Sequence, residues 1–293
     1  MTEAVLRGRR ARVPPAERVR HRLAAVAGER LAREMPNGYH RFGRVLVVQR
    51  PPSLAPYDAL LGAAWQRELG VETVLVKTGP VDGELRTPRV VTIAGTSTET
   101  EVVEYGVRWR FDAARVMFAV GNRPERLRVG RLVRPGETVA DLFAGIGYFA
   151  IPAALRGRAA RVVAVEKNPD SVYYLQENVE LNRVDDRVEV VEGDNREVAL
   201  SERSFDRVFL GYLPSAFAWI PQAVSLLRPA GGWVHAHSVA DARGSPEEGA
   251  RAAVGAAVDA GAELLEPARA RVVKPYGPGR SHVVVDLRVR PRL

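Results

Sequence analysis

The sequence predicts an α/β protein in which a mostly parallel sheet with helices on both faces follows a smaller N-terminal α/β domain. Three observations support this fold class. From Glu137 onward, short apolar stretches typical of strands alternate with segments of helical periodicity. Residues 141–149, DLFAGIGYF, have the pattern of a buried strand that ends in a glycine-bearing turn and opens a helix. A short Gly/Pro-rich link joins the last two strand-like segments, which predicts a terminal antiparallel hairpin.

The composition predicts a cytoplasmic protein that contacts a polyanion. The chain has 293 residues, of which 46% are hydrophobic, and it contains no cysteine. Without cysteine there is no disulfide framework or thiolate site, and the five histidines offer no metal-ligand pair, so we expect no metal. No apolar run approaches the roughly 20 residues of a membrane span. The net charge of +8, carried almost entirely by arginine, favours a nucleic-acid partner.

The N-terminal part predicts a small domain behind a basic tail. Residues 1–15 lack apolar periodicity and include four arginines. In the next segment Val19, Leu23 and Val26 recur at helical spacing, which predicts one amphipathic helix over residues 16–34. Further predicted elements are a strand at 45–48, a helix at 57–69, and strands at 73–76 and 90–93. We place this domain at residues 16–105.

A connecting hairpin and helix are predicted at residues 106–135, followed by the second domain at 136–293. The hairpin turns at Gly106, and Pro124 suits the first turn of the helix. The predicted strands of the second domain are 138–143, 161–166, 188–192, 205–210, 232–237, 269–273 and 282–288. One predicted helix begins at residue 149, and three more cover residues 171–182, 220–227 and 246–260.

Polar residues follow the predicted strands at the edge where a doubly wound sheet binds its ligands. Glu166 ends the second strand about 20 residues after the glycine turn, the spacing of an acid that binds ribose hydroxyls. The candidate cofactor-binding residues on this edge are Asp141, Phe143, Gly145, Gly147, Glu166, Lys167, Asp194, Asn195 and Gly211. Together they predict an adenosine-type ligand. A dinucleotide oxidoreductase stays open, but the acid that opens the turn and the terminal hairpin favour S-adenosylmethionine.

The motifs of the second domain resemble those of class I S-adenosylmethionine enzymes that modify the purine 3′ of the tRNA anticodon. The matching segments are 116–122, 141–149, 166–169, 193–196 and 206–212. Two sister groups share most of them: the tRNA guanine-37 N1-methyltransferases and the wybutosine-pathway transferases that move the 3-amino-3-carboxypropyl group. The resemblance implies a Rossmann-like class I methyltransferase fold with a seven-stranded sheet, and S-adenosylmethionine as co-substrate.

The segment after the fourth strand distinguishes the two sister groups. The methyltransferases carry an Asn-Pro-Pro type motif there, whereas residues 210–215 of this chain are LGYLPS. Together with GDNR at 193–196 and VHAH at 234–237, this segment resembles the aminocarboxypropyl group. The resemblance implies transfer to carbon 7 of 4-demethylwyosine at position 37 of tRNA-Phe, with release of methylthioadenosine. Methylation of guanine 37 and transfer to a small-molecule acceptor remain as alternatives.

The resemblance also implies roles for individual residues. Arg126 matches the arginine that holds the methionine carboxylate of the cofactor. The family usually has Ser at the position of Ala119, so one polar contact to the cofactor tail is missing. Loss of the acceptor's proton needs a base or water, for which Tyr212, His237 and Asp194 are candidates, although His237 also suits a structural strand residue.

The N-terminal domain carries the candidate tRNA surface. Its candidate phosphate contacts are Arg18, Arg20, Arg22, Arg41 and Arg44. Tyr39 and Trp65 are candidates for stacking on bases. The aggregate charge, more than any single residue, supports this interpretation.

Overall fold

The computed structural model describes residues 13–81, 83–241 and 246–292, which form two compact units. The first unit consists of the described residues of Met1–Glu101 and Asp112–Met117, and the second of those of Val102–Phe111 and Phe118–Leu293. Most of the predicted basic tail, residues 1–12, lies outside the described residues. Within the described ranges, no helix combines the length and the apolar character that crossing a membrane requires.

The first unit is built on a four-stranded sheet. Its strands are β1 (Tyr39–Phe42), β2 (Val45–Gln49), β3 (Thr73–Lys77) and β4 (Val90–Ala94), and its helices are α1 (Pro15–Ala27), α2 (Glu29–Ala32) and α3 (Asp58–Leu69). The sheet order is β1-β2-β3-β4, with β2 and β3 parallel and both outer pairs antiparallel. Leu23 of α1 and Trp65 of α3 are buried in the core against this sheet.

The predicted helix over residues 16–34 is divided at Gly28. This glycine adopts a φ of +86°, a conformation that glycine accepts at little cost and that ends the helical backbone of α1. Val26, predicted to face the core, is 66% exposed because it lies in the last turn before the break. Strand β1 was not predicted, since His40 and Arg41 interrupt its apolar pattern.

The second unit contains an eight-stranded sheet and a separate hairpin. The hairpin strands are β5 (Glu99–Glu104), whose first residues belong to the first unit, and β6 (Val107–Asp112). The sheet strands are β7 (Thr138–Asp141), β8 (Arg161–Glu166), β9 (Val188–Glu192), β10 (Arg207–Leu210), β11 (Gly232–Asp241), β12 (Ala262–Leu264), β13 (Arg269–Gly277) and β14 (Arg280–Pro291). The helices are α4 (Arg123–Leu132), α5 (Ala150–Leu155), α6 (Pro169–Leu181), α7 (Ile220–Leu226) and α8 (Pro246–Asp259).

The large sheet has the predicted doubly wound topology. Its order is β12-β14-β11-β10-β7-β8-β9, and β13 also pairs with β14. Strands β7 to β11 pair in parallel, whereas β14 is antiparallel to β11, β12 and β13. The mostly parallel sheet and the antiparallel terminal hairpin are therefore confirmed, and the three-residue β12 adds an eighth strand to the predicted seven.

The two faces of the sheet differ in chemistry. Helices α7 and α8 cover an apolar face that includes Leu142, Val208 and Val234. The face toward α4 and α5 carries buried polar groups, among them Asp141 and His237. Because β7 to β10 are parallel, the loops after these four strands meet at one edge of the sheet.

Candidate functional site

The turn after β7 is organised by the buried carboxylate of Asp141. This side chain is fully buried and accepts hydrogen bonds from the backbone N–H groups of Phe143 (3.4 Å) and Ala150 (3.2 Å). It thereby joins the end of the strand to the first turn of α5. Burial raises the pKa of the Asp141 carboxyl to about 7. Asp141 thus supports the turn from beneath and has no surface with which to touch a ligand directly.

The glycines of the turn are required by its own packing. Gly145 and Gly147 have φ angles of +55° and +101°, which other residues rarely adopt. A Cβ atom on Gly147 would lie 2.5 Å from Cδ1 of Ile151, and one on Gly145 would lie 2.9 Å from the ring of Tyr148. Both positions therefore need glycine even before a ligand is considered.

The carboxylate of Glu166 links this turn to the end of β8. Its Oε2 accepts from the backbone N–H of Gly145 (2.8 Å), and its Oε1 accepts from those of Lys167 (3.1 Å) and Asn168 (2.8 Å). Burial raises the pKa of Glu166, while the three backbone donors act in the opposite direction. A carboxylate has about four acceptor positions, so these three bonds leave room for a donor from a ligand.

The loop after β9 adds a charged and an uncharged polar side chain. Asp194 pairs with Arg196 (Nε to Oδ1, 2.9 Å) and with Lys167 (Nζ to Oδ2, 3.4 Å), and the hydrogen bonds from Arg196 hold its pKa well below its usual range. Asn195 is 6% exposed and donates its Nδ2 to the carbonyl of Leu142 (3.0 Å). This bond fixes the orientation of the amide and leaves its buried Oδ1 with no partner among the described residues.

An aromatic cluster follows β10 on the same edge. The ring centres of Phe143 and Tyr212 are 5.2 Å apart, and Trp219 lies 5.1 Å and 5.2 Å from these two rings. Gly211 stands between strand and cluster, where a Cβ atom would lie 3.0 Å from the ring of Phe149. Tyr212 is half-buried, so part of its ring faces outward.

Arg126 is a buried cation whose guanidinium is fixed on several sides. It is 3% exposed, and its Nε and Nη2 both donate to Oε2 of Glu104 (3.0 and 2.5 Å). The guanidinium carbon lies 4.9 Å from the ring centre of Phe118 and 5.6 Å from that of Tyr148. The side chain is therefore held in one orientation by an ion pair and two aromatic rings.

The surroundings of Arg126 retain a net positive charge. Arg123 pairs with the other oxygen of Glu104 at 3.3 Å, so two guanidinium groups share one carboxylate. Nη1 of Arg126 donates to the backbone carbonyl of Ala119 (2.9 Å). Ala119 therefore contributes to the site through its backbone. One uncompensated positive charge suits a ligand that carries a carboxylate.

His237 is enclosed in the face of the sheet toward α4. It is 1% exposed, its Nδ1 lies 2.7 Å from Nε2 of His282, and its ring stacks on Phe149 with centres 5.2 Å apart. Its Nε2 has no hydrogen-bond partner in the described part of the chain and lies 3.9 Å from Oε1 of Glu125. Burial lowers the pKa of His237 to about 4, so the imidazole is neutral at neutral pH.

His235 lies two residues earlier on the same face and has both ring nitrogens paired. Its Nδ1 is 2.6 Å from Oδ1 of Asp286, and its Nε2 is 2.6 Å from Nη1 of Arg207. Because arginine can only donate, Nε2 accepts and Nδ1 carries the proton that is donated to Asp286. Burial lowers the pKa of His235, consistent with this neutral form.

A buried ionic network beneath the histidines was not predicted. Glu125 on α4 is wholly buried and pairs with Arg128 (2.7 Å) and with Arg271 of β13, and Arg128 also pairs with Asp286 of β14 (2.8 Å). Burial acts to raise the pKa of Glu125, but hydrogen bonds from Arg128 bring it below its ordinary value. The only local signal was the three-residue spacing of Glu125 and Arg128 on one helix.

In the described ranges, no group of three or more His, Cys, Asp or Glu side chains is arranged to hold a metal ion.

The arginines predicted as a phosphate surface all have partners within the first unit. Their acceptors are Glu68 for Arg18 and Arg22, Met35 and Asn37 for Arg20, Gly43 for Arg41, and Glu72, Ser97 and Glu99 for Arg44. Trp65 is 2% exposed and packs against Tyr39 with ring centres 5.1 Å apart, so it is not available to stack on a base.

Comparisons with known proteins cover nearly the whole chain. Residues 100–265 match the family model described as the TRM5/TYW2 methyltransferase domain, and residues 19–98 match the TYW2 N-terminal domain. A Pyrococcus horikoshii protein named tRNA(Phe) (4-demethylwyosine(37)-C(7)) aminocarboxypropyltransferase is 35% identical over 272 residues, which is 93% of this chain and 96% of the relative.

Two solved structures are similar in fold and sequence. Pyrococcus horikoshii TYW2 in complex with MeSAdo has a TM-score of 0.81 and 33% identity, and the match covers 94% of this chain and 100% of that chain. Methanocaldococcus jannaschii TYW2 in complex with AdoMet has a TM-score of 0.71 and 29% identity, and the match covers 87% and 100% of the two chains. The predicted family and fold class are thus confirmed. The chain belongs to the TRM5/TYW2 methyltransferase family and carries the N-terminal domain of its TYW2 members.

Proposed function

We propose that this protein transfers the 3-amino-3-carboxypropyl group of S-adenosylmethionine to carbon 7 of 4-demethylwyosine at position 37 of tRNA-Phe, releasing methylthioadenosine. The observation that carries this proposal is the 35% identity to an aminocarboxypropyltransferase over 93% of the chain, which includes both domains. The match of residues 19–98 to the TYW2 N-terminal domain favours this reaction over methylation of guanine 37. The relatives solved with AdoMet and MeSAdo support S-adenosylmethionine as the co-substrate.

The loops after β7, β8 and β9 fit the adenosine part of the co-substrate. Glu166 has an acceptor position left for a ribose hydroxyl, and the unpaired Oδ1 of Asn195 is a buried acceptor suited to the exocyclic amine of adenine. Lys167 and Asp194 form an ion pair beside them. The aromatic ring of Phe143 borders the same edge and offers an apolar surface to the purine.

Arg126 fits the methionine part of the co-substrate. The cluster of two arginines and Glu104 holds one excess positive charge in a site where Arg126 is 3% exposed, so a carboxylate there would be strongly favoured. The sulfonium supplies three activated carbons, and anchoring the carboxylate decides by position which of them faces the acceptor. We assign to Arg126 the role of anchoring the carboxylate so that the Cγ atom, and not the methyl group, faces the acceptor.

The transfer forms a carbon–carbon bond and breaks a carbon–sulfur bond. Cγ bonds to carbon 7 of the acceptor, the electron pair of the broken bond stays on sulfur as methylthioadenosine forms, and the proton of carbon 7 leaves to a base or to water. We assign contact with the acceptor to Tyr212, because it is half-buried at the edge. His237 is 1% exposed and packs on Phe149, so we assign it to positioning the glycine turn.

Identifying the nucleoside by-product tests the proposed reaction. The protein is incubated with S-adenosylmethionine and tRNA-Phe that carries 4-demethylwyosine, with tRNA-Phe that carries unmodified guanosine as the control. We expect methylthioadenosine with the first tRNA only. S-Adenosylhomocysteine without methylthioadenosine would contradict the proposal and support methylation. Turnover on a small acceptor with no salt-sensitive tRNA binding would support the third alternative.

A further inference from the structure

The tip of the β13–β14 hairpin is an exposed element that the proposed site does not use. Strand β13 ends at Gly277, a two-residue loop of Pro278 and Gly279 follows, and Arg280 begins β14. Gly279 has a φ of +66°, which suits glycine in this tight turn. Every residue from 275 to 280 is exposed, and Tyr276 exposes 39% of its surface. We call residues 274–280 the hairpin tip.

The strand pairing is irregular at Tyr276. Pro275 pairs with Ser281 and Gly277 pairs with Arg280, so the register leaves Tyr276 without an opposite residue. A bulge of this kind bends a strand and redirects the side chain at the bulge. The Tyr276 ring has neither an aromatic neighbour nor a hydrogen bond within the described part of the chain. An exposed aromatic ring held on a bulged strand is available for contact with a partner.

Two basic residues flank this ring. The charged residues of the hairpin tip are Lys274 and Arg280, whereas Arg269 and Arg271, earlier on β13, pair with Glu266 and Glu125. Arg280 is exposed and lies opposite Asp241 in the pairing of β11 with β14, but it forms no ion pair with another described residue. The side chain of Lys274 lies against Gly121, with its Cδ 2.7 Å from the place where a Cβ atom of that glycine would be. The hairpin tip is therefore basic, and it is anchored beside the segment that leads to α4.

The hairpin tip projects from the edge that carries the candidate site. The N–H of Val239 donates to the carbonyl of Pro214 (2.7 Å), in the loop that follows Tyr212. Val239 lies opposite His282 in the pairing of β11 with β14. Gly279 precedes His282 by three residues, so the turn extends about 10 Å beyond this loop at 3.3 Å per residue. A polymer whose acceptor nucleotide reaches Tyr212 would pass close to the hairpin tip.

We propose that the hairpin tip contacts single-stranded RNA next to the acceptor nucleotide, with an unpaired base stacked on Tyr276 and a phosphate at Arg280. This inference rests on the proposed function, because it takes the substrate to be an anticodon loop. Single-stranded RNA is recognised by stacking of unpaired bases on aromatic rings and by cationic contacts to the backbone. An exposed tyrosine next to the unpaired guanidinium of Arg280 matches both requirements.

Four variants separate stacking from charge and from general surface effects. Tyr276→Ala removes the ring, Tyr276→Phe retains it, and Arg280→Ala removes the charge. The matched control is Tyr173→Ala, on α6, because Tyr173 is also an exposed tyrosine at 53%. Each variant is tested for binding of a tRNA-Phe anticodon stem-loop by fluorescence anisotropy at several salt concentrations. Affinity for S-adenosylmethionine is measured separately by calorimetry.

We expect Tyr276→Ala to weaken stem-loop binding on the order of 10-fold, with Tyr276→Phe close to the wild type. Arg280→Ala should weaken binding and reduce the slope of log affinity against log salt concentration by about one, the value for one lost phosphate contact. Affinity for S-adenosylmethionine should be unchanged in all four variants. Wild-type binding by Tyr276→Ala, or an equal loss in Tyr173→Ala, would overturn the inference. If the wild type binds the stem-loop through Tyr276 but yields no methylthioadenosine, the proposed function fails and the RNA contact stands.

Discussion

Replacing Glu166 with glutamine should weaken S-adenosylmethionine binding and leave the fold intact. The amide keeps one acceptor oxygen and loses the charge, so the proposed bond to a ribose hydroxyl is lost or becomes a neutral one. Its NH2 group cannot accept, so at least one of the backbone N–H groups that now bind the carboxylate loses its partner. A hydrogen bond to a charged group contributes about 1.5–3 kcal/mol, which corresponds to a roughly 10- to 150-fold increase in the dissociation constant. Glu166→Ala should bind no better, because it releases all three backbone N–H groups, those of Gly145, Lys167 and Asn168.

The assay must separate a direct ribose contact from support of the glycine turn. Calorimetry with methylthioadenosine and with its 2′-deoxy analogue provides this separation. The wild type should prefer the ribose form, and Glu166→Gln should lose most of that preference. Glu189→Gln is the matched control, because Glu189 is an exposed carboxylate that pairs with Arg161 (2.5 Å) on the same sheet. An unchanged preference in Glu166→Gln would refute the ribose assignment.

Three further predictions address the tail site, the turn and the buried acid. Arg126→Lys should weaken binding of S-adenosylmethionine but not of methylthioadenosine, which has no carboxylate, and an equal loss for both ligands in calorimetry would argue against the assignment. Gly147→Ala should lower the free energy of unfolding by at least about 2 kcal/mol in urea titrations, because the new Cβ would lie 2.5 Å from Ile151 and φ is +101°. A loss below about 0.5 kcal/mol would be inconsistent with this packing. Asp141 should titrate near pH 7 in carbon-detected NMR, since burial raises its pKa to about 7 from an ordinary value of 3.8, and a midpoint below pH 5 would contradict this. Between about pH 4 and pH 7 the folded state therefore binds more protons than the unfolded state. The stability that protonated Asp141 contributes to the folded state falls over this range and is lost as pH rises through 7.

Local patterns were sufficient to predict most of the second unit. Strands β8 and β9 have the bounds predicted from their valine-rich pattern. Helix α6 begins at Pro169, two residues before the predicted start, after Asn168, whose side chain accepts from the N–H of Asp170 (3.0 Å). Each of these signals lies within a few residues of the feature that it specifies. The break at Gly28 could not be inferred in the same way, because an isolated glycine inside a helical pattern is tolerated at a cost of only about 1 kcal/mol.

The predicted cofactor-binding residues follow strands that end at one edge of the large sheet, but the contacts of each side chain could not be inferred from the sequence. Asp141 stands where an acid facing the ligand is expected, yet the structure buries it beneath the turn, and burial depends on packing that no local pattern specifies. Arg126 was identified through family resemblance, but its partner Glu104 is 22 residues away on β5. The pairing of Glu125 with Arg271 spans 146 residues, so it exists only once β13 has joined the sheet.

The proposed transfer is tested most directly by following two isotopic labels of one S-adenosylmethionine molecule, one in the methyl group and one in the amino nitrogen. After reaction with tRNA-Phe that carries 4-demethylwyosine, mass spectrometry locates each label. We predict the methyl label in free methylthioadenosine and the amino label in the nucleoside at position 37. The methyl label in the tRNA, with the amino label in S-adenosylhomocysteine, would contradict aminocarboxypropyl transfer.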